Sequence, residues 1–244
     1  MRALSAEELL DFWEHGFVQS PAERALTLLK AACPELSADS IAKLTVGERD
    51  LRLLTLREWM FGSQLLCIAM CTSCGEQLEL SFRASDLFAH EETELTGSFL
   101  LPVGEYELTF RLPNSLDLVE ISRRVDVASG RQLLLARCIS KAERSGEVIA
   151  ISELPPVVLD AVVVRMGELD KSGDVQLSLN CPQCSHASQP IFDIESFFWR
   201  EISAWANRIL REVHALASAY GWRESDILNM STWRRQVYLN LIGA

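Results

Sequence analysis

The sequence predicts an α+β fold with helical segments at both ends of the chain and strands between them. Helical periodicity with recognisable helix starts fills the first 62 residues, and the longest helical run of the chain begins after residue 193. Between these segments lie two C-x2-C turns, each flanked by apolar, strand-like runs and separated from each other by 106 residues. Two matching half-ribbons so far apart predict a small β-ribbon that is split by an inserted α/β domain.

The N-terminal helical segment, residues 1–62, contains three helix starts. Ser5–Glu8, Ser20–Glu23 and Thr45–Glu48 each have the spacing of a capping box, and the second has a proline in its first turn. We expect the first helix to stop at Gly16 and the third to end near Gly62, because glycine favours helix ends.

The two cysteine turns predict one metal site. Residues 63–83 form the first half of the ribbon and residues 175–193 the second. A C-x2-C turn points two thiolates at one place, and Zn²⁺ takes four soft or borderline ligands in a tetrahedron. The predicted ligands of this structural zinc are Cys71, Cys74, Cys181 and Cys184. A site closed by four protein ligands has no position left for a substrate.

Other interpretations of the cysteines remain open. Cys67, Cys71 and Cys74 have the C-x3-C-x2-C spacing by which radical-SAM enzymes hold a [4Fe–4S] cluster, but Cys67 lies inside a strand-like run and no barrel repeat follows. The four cysteines of the two turns could also hold such a cluster, and His186 could replace one of them as a ligand. An odd number of cysteines argues against a disulfide framework. The remaining cysteines are expected to be small buried hydrophobic residues: Cys33, Cys67 and Cys138.

The inserted domain, residues 84–174, is predicted to hold a hairpin and three helices. Alternating runs at 94–101 and 105–112 flank a turn at Pro102–Gly104. Helical periodicity follows at 116–125, at 131–139, and from the Pro155–Pro156 pair to about residue 169.

The C-terminal helical docking segment, residues 194–244, is predicted to contain a long helix and a short one. The long helix spans 194–220 and closes at Gly221, and Ser231 caps the last helix. The last helix has an apolar stripe at helical spacing: Trp233, Val237 and Leu241.

Charge and missing motifs exclude several classes of function. The chain has 23 basic and 34 acidic residues and a net charge of −11, which repels nucleic-acid phosphates. The residues after Trp199 differ, with six arginines and four acids. A Gly-rich phosphate loop, a G-x-S-x-G elbow and an H-E-x-x-H pair are all missing from the sequence, so we predict no enzymatic activity.

The sequence also gives no sign of a membrane-spanning segment or a signal peptide. No apolar run approaches the length that a bilayer requires, and the first residues turn acidic without a signal-peptide core. We therefore expect a soluble cytoplasmic protein.

The C-terminal stretch 212–239 resembles a pattern found in small baseplate and tail-assembly proteins of contractile phage tails and related contractile injection systems. In that pattern a helix ends before Gly-Trp, an acidic-Ile-Leu turn follows, and a serine then precedes an Arg-Arg pair and Tyr-Leu. T-even phage baseplate-hub proteins are similar in this stretch. The matching residues are Tyr220, Gly221, Trp222, Asp226, Ile227, Leu228, Ser231, Arg234, Arg235, Tyr238 and Leu239.

The resemblance implies a non-enzymatic structural or assembly protein whose partners are other baseplate or tail proteins and which can be incorporated into a phage-tail-like particle. Trp and Arg are enriched among interface anchors, and two adjacent arginines of one helix cannot both point inward. The predicted partner-binding residues are Trp222, Trp233, Arg234, Arg235 and Tyr238. The alternative is a zinc-ribbon adaptor that binds nucleic acid or the transcription machinery, since the same stretch also resembles a helix-turn-helix.

Overall fold

Caps and hydrophobic periodicity set most helix boundaries in the computed structural model, which describes residues 1–87, 97–124 and 126–243. The helices are α1 (Ala6–Gly16), α2 (Pro21–Ala32), α3 (Ala38–Lys43), α4 (Val46–Phe61), α5 (Ala84–Leu87), α6 (Ser115–Ile121), α7 (Val127–Cys138), α8 (Pro156–Leu169), α9 (Ile194–Tyr220), α10 (Glu224–Leu228) and α11 (Thr232–Ile242). The strands are β1 (Gln64–Met70), β2 (Gln77–Arg83), β3 (Phe99–Val103), β4 (Tyr106–Phe110), β5 (Ile139–Arg144), β6 (Glu147–Val148), β7 (Leu179–Asn180) and β8 (Ala187–Ser188).

The α+β class is confirmed, with helices at both ends of the chain and three small sheets between them. The three predicted capping boxes are present and begin α1, α2 and α4. The long helix α9 begins and ends where the sequence predicts, and Gly221 closes it in a left-handed conformation. The short helices α3, α5 and α10 were not predicted.

The sheets are β1-β2, β3-β4-β5-β6 and β7-β8, all antiparallel. The predicted hairpin is formed by β3 and β4, while residues 94–96 of its first run lie outside the described residues. Strands β5 and β6 were not predicted: the expected helix at 131–139 ends at Cys138, and the chain continues as β5, which pairs with β4. The expected helix at 116–125 ends at Ile121, and Val125 also lies outside the described residues.

The two largest clusters of buried apolar residues in the described part of the chain form its main hydrophobic cores. The larger core lies between α1, α2, α4, α9 and the start of β1. The second lies between the four-stranded sheet and the helices α7 and α8 of the insert. Within residues 1–87, 97–124 and 126–243, no helix combines the length and the apolar content needed to cross a membrane.

The insert is attached to the N-terminus of α4. The first amides of a helix have no partner inside it, and two of those of α4 are satisfied by the insert. Val46 donates to the carbonyl of Pro113 at 3.2 Å, and Gly47 donates to the buried carboxylate of Asp170 at 2.9 Å. The same contacts therefore cap α4 and fix the position of the insert.

Arg57 of α4 positions the start of the ribbon. Its buried guanidinium forms two hydrogen bonds with Glu201 of α9, at 2.7 and 2.6 Å. It also donates to the carbonyls of Gly62 and Gln64, at 2.7 and 2.8 Å. One side chain thus joins α4, α9 and the first residue of β1.

Candidate metal centre and C-terminal surface

The two cysteine turns have the same backbone geometry. In each, the amide of the first cysteine donates to a carbonyl five residues later, at 2.8 Å in the first turn and 3.0 Å in the second. The amide of the fourth residue after that cysteine donates back to its carbonyl at 2.9 Å in both. This fourth residue, Gly75 or Ser185, has a positive φ of 75° or 59°. The shared geometry points both pairs of thiols toward one place.

The four thiols meet there. The Sγ atoms of Cys71 and Cys184 are 3.6 Å apart, as are those of Cys74 and Cys181, and all four sulfur atoms lie within 4.8 Å of one another. A metal bound by four sulfur atoms at about 2.3 Å requires sulfur–sulfur distances of about 3.8 Å in a tetrahedron. The four predicted ligands therefore form a cluster of the size that a metal ion needs.

The pKa values of the cysteine thiols also favour the binding of a cation between them. Hydrogen bonds from the backbone amides of Cys74 and Ser73 lower the pKa of Cys71 to about 6. At Cys74 the amide of Glu76 lowers the pKa, but the neighbouring thiols, Cys184 first, outweigh it and raise the pKa to about 12. Four sulfur atoms this close cannot all be thiolates unless a positive charge lies between them.

The two alternative metal ligands, His186 and Cys67, lie outside the cluster of four cysteines. The Nε2 atom of His186 is 3.0 Å from the hydroxyl of Thr72, so His186 joins the two turns by a hydrogen bond between side chains. Cys67 packs against the larger core, and burial raises the pKa of its thiol. The triad of Cys67, Cys71 and Cys74 is therefore not assembled, and the cluster found among the described residues consists of the four cysteines of the turns.

In the C-terminal segment, Arg235 points inward. It is buried, forms an ion pair with Glu212 of α9 at 3.1 Å, and donates to the carbonyl of Met230 at 2.6 Å. Its buried neighbour on α11 is Leu239, one turn further on. Arg235 is therefore engaged within the chain and lies beneath the outer face of α11.

The apolar stripe of α11 faces outward instead. Trp233 is 77% exposed and Leu241 72%, and Val237 lies between them with part of its side chain exposed. Arg234 is exposed beside this stripe, with its guanidinium 5.9 Å from the centre of the Tyr238 ring. Helical periodicity found the stripe, but the ion pair of Arg235 and the packing of Leu239 against α9 and α10 decide which face of α11 is buried.

Trp222 and Tyr238 hold the helix ends together. The rings of Tyr220 and Trp222 stack at 4.4 Å, and the Tyr238 ring meets Trp222 edge-on at 4.8 Å. Trp222 and Tyr238 are both half-buried, so they support the outer face of α11 from below. Trp233 and Arg234 project from that face.

A comparison with protein families assigns the chain to one of them. The family described as T4 bacteriophage base plate protein matches residues 18–199, from the approach to α2 to the first turns of α9. Searches of curated proteins and of solved structures gave no match. The matched region contains both cysteine turns, whereas the stretch 212–239 that resembles baseplate proteins lies beyond it. Because the match covers most of its length, the chain belongs to the T4 bacteriophage base plate protein family.

Proposed function

We propose that this chain is a non-enzymatic structural or assembly protein of a contractile tail or injection-system baseplate. The family match over residues 18–199 carries the proposal. The chemistry of the cysteine cluster supports it, because four protein ligands close the coordination shell of a metal and leave no position for a substrate. The metal stabilises the ribbon, and the partners are other baseplate or tail proteins.

The proposed metal is zinc. Four cysteine thiolates in a tetrahedron are a common structural zinc site, and zinc neither changes oxidation state nor needs a further ligand. Elemental analysis of protein purified from cells should find about one zinc per chain. Iron together with a brown colour would instead identify a [4Fe–4S] cluster.

The proposed docking surface is the outer face of α11, formed by Trp233, Arg234, Val237 and Leu241 and supported by Trp222 and Tyr238. Tryptophan and arginine are frequent anchors of protein interfaces. Helix α11 contains two arginines and no acidic residue. A suitable partner is an amphipathic helix whose apolar face covers the stripe and whose acidic flank meets Arg234.

The test is copurification from cells that produce the particle. A tagged chain should bring down baseplate proteins, and the variants Trp233→Ala and Arg234→Glu should each weaken this association by about 2 kcal/mol, or roughly thirtyfold. Arg211→Glu is the control, because Arg211 is an exposed arginine on α9 outside the surface. Equal recovery of all variants would move the docking surface elsewhere.

The same preparation distinguishes a component from an assembly factor. A component stays in finished particles in a fixed ratio to the other baseplate proteins. An assembly factor is found with unfinished baseplates and is missing from finished particles. Recovery with neither would contradict the proposed function.

A further inference from the structure

Strand β1 differs from the other long strands in having no protection against pairing with another chain. Exposed edge strands are normally guarded by charged residues or proline, because their free amides and carbonyls can bind a further strand. Among the described strands of five or more residues, β2, β4 and β5 contain charged residues and β3 contains Pro102. The seven residues of β1, Gln64–Met70, include neither.

The register shows which backbone groups of β1 are free. The amide of Cys71 donates to the carbonyl of Glu76, just before β2, and the carbonyl of Ser63 accepts from the amide of Ala84, just after β2. The odd-numbered residues of β1 therefore direct their backbone amides and carbonyls toward β2. Backbone direction alternates along a strand, and the even-numbered residues therefore point to the opposite edge. The carbonyl of Gln64 follows this rule, because it is bound from that edge by Arg57.

Three residues remain open at that edge. The backbone groups of Leu66, Ile68 and Met70 have no hydrogen-bond partner within residues 1–87, 97–124 and 126–243. The side chains of the same residues are 60–72% exposed. An apolar face and an open edge therefore coincide on one strand.

We propose that β1 binds β1 of a second copy of this chain in antiparallel fashion, about a two-fold axis at Ile68. This register places Leu66 opposite Met70 of the other copy and Ile68 opposite Ile68, and it leaves out Gln64, whose carbonyl is already bound. Three such pairs exchange about six main-chain hydrogen bonds. The two hairpins become one four-stranded sheet, and its two central strands carry the apolar residues of both copies on one face.

The absence of charged residues from β1 suits this strand to a contact between two copies. The chain has a net charge of −11, so two copies repel each other over most of their surface. A contact through β2 would bring Glu79 of one copy toward Glu79 of the other, whereas the uncharged β1 brings no like charges together. A two-fold contact also requires a self-complementary surface, and the sequence Leu66, Ile68, Met70 is apolar on both sides of its centre.

The experiment measures molar mass in solution with the full-length metal-bound protein. At tens of micromolar the wild type should have about twice the mass of a single chain, 27.4 kDa. Ile68→Lys should be monomeric, with at least a tenfold rise in the dissociation constant, because two lysines meet at the axis. This variant should keep its fold, since residue 68 faces Glu79 within the hairpin and gains an opposite charge there.

Ser81→Lys is the matched control. It adds the same charge to the exposed side of the neighbouring strand, opposite Leu66 and away from the open edge, and should remain dimeric. Hydrogen exchange gives a second measurement without any substitution: the amide of Ile68 should be protected at high protein concentration and should lose protection on dilution. A monomeric wild type, or a dimer that Ile68→Lys leaves intact, would overturn the proposal. Protection that requires another baseplate protein would assign the edge to that partner instead.

Discussion

Ser185 has a backbone conformation that its residue type disfavours. It occupies the position in the second cysteine turn that Gly75 occupies in the first, and its φ is 59°. A residue with a Cβ atom in the left-handed region costs about 1–2 kcal/mol, which glycine avoids. The ribbon therefore contains the same turn twice, once with the favoured residue and once without it.

We predict that Ser185→Gly stabilises the metal-bound protein by up to about 1 kcal/mol, because relief of the backbone conformation outweighs the greater freedom of glycine in the unfolded chain. Gly75→Ser should destabilise it by a similar amount. No atom lies within 4 Å of a Cβ added at Gly75, so the cost there is conformational alone. Urea unfolding monitored by circular dichroism measures both changes, and shifts of the same sign would contradict the prediction.

Asp117 is the buried charge that organises the insert. It accepts two hydrogen bonds from Arg111, at 2.6 and 3.0 Å, and one from Arg137 at 2.7 Å, and it is fully buried. It also accepts from the amide of Asn114, which begins α6. Burial alone raises the pKa of its carboxyl, but the hydrogen bonds from the two arginines outweigh burial and lower the pKa below its usual value.

We predict that Asp117→Ala destabilises the protein by about 3 kcal/mol or more, since it leaves two arginines without their buried partner. Asp160→Ala is the control, because Asp160 forms an exposed ion pair with Arg131 and should cost less than about 1 kcal/mol.

The lowered pKa also predicts a pH dependence. The carboxylate of Asp117 contributes its full stabilisation above the unfolded pKa of about 3.9 and loses it as the pH falls through the folded value. The wild type should therefore lose more stability than Asp117→Asn between neutral and acidic pH. Parallel curves of unfolding free energy against pH would exclude this role for Asp117.

Among the elements, α11 shows how a buried ion pair next to an apolar contact can orient a helix. Arg235 occupies the buried face of α11, and the apolar stripe of this helix faces outward. A variant in which both Arg234 and Arg235 are replaced by glutamate would therefore mix two effects. Arg235 stabilises the fold, whereas Arg234 is exposed and can contact a partner.

We predict that Arg235→Glu destabilises the packing of α11 on α9 by about 3 kcal/mol or more, because it places two carboxylates together in a buried contact. Arg234→Glu should change stability by less than about 0.5 kcal/mol, as is usual for exposed residues. Thermal unfolding and the rate of proteolysis after residue 221 measure the difference. Equal stability of the two variants would show that the pair with Glu212 does not orient the helix.

At the scale of the whole molecule, the contact between α4 and the insert depends on a glycine. A Cβ atom at Gly47 would lie 1.8 Å from the Oδ1 atom of Asp170 and 2.9 Å from the amide nitrogen of Gly173. The close approach allows the carboxylate of Asp170 to cap α4, so any larger residue must separate the two parts.

We predict that Gly47→Ala destabilises the protein by about 2 kcal/mol or more, through overpacking and the lost hydrogen bond. Gly167→Ala is the matched control: Gly167 lies within α8, nothing is within 4 Å of its added Cβ, and alanine should stabilise the helix by about 0.5–1 kcal/mol. Urea unfolding should show shifts of opposite sign. A neutral Gly47→Ala would mean that the insert does not depend on this contact.

The sequence by itself determined the features that arise from local interactions. Capping boxes such as Ser5–Glu8 fix helix starts within a few residues, and helical periodicity with Gly221 at its end predicts α9. The spacing within each C-x2-C turn fixes the direction of two thiols, so the cluster of four cysteines could also be predicted. Only the tertiary structure decided the features that depend on distant partners. Strand β5 forms because β4 lies beside it, Arg235 is buried because Glu212 faces it from another helix, and the edge of β1 is open because no described strand pairs there. Local spacing cannot contain such information, because these contacts join residues far apart in the chain.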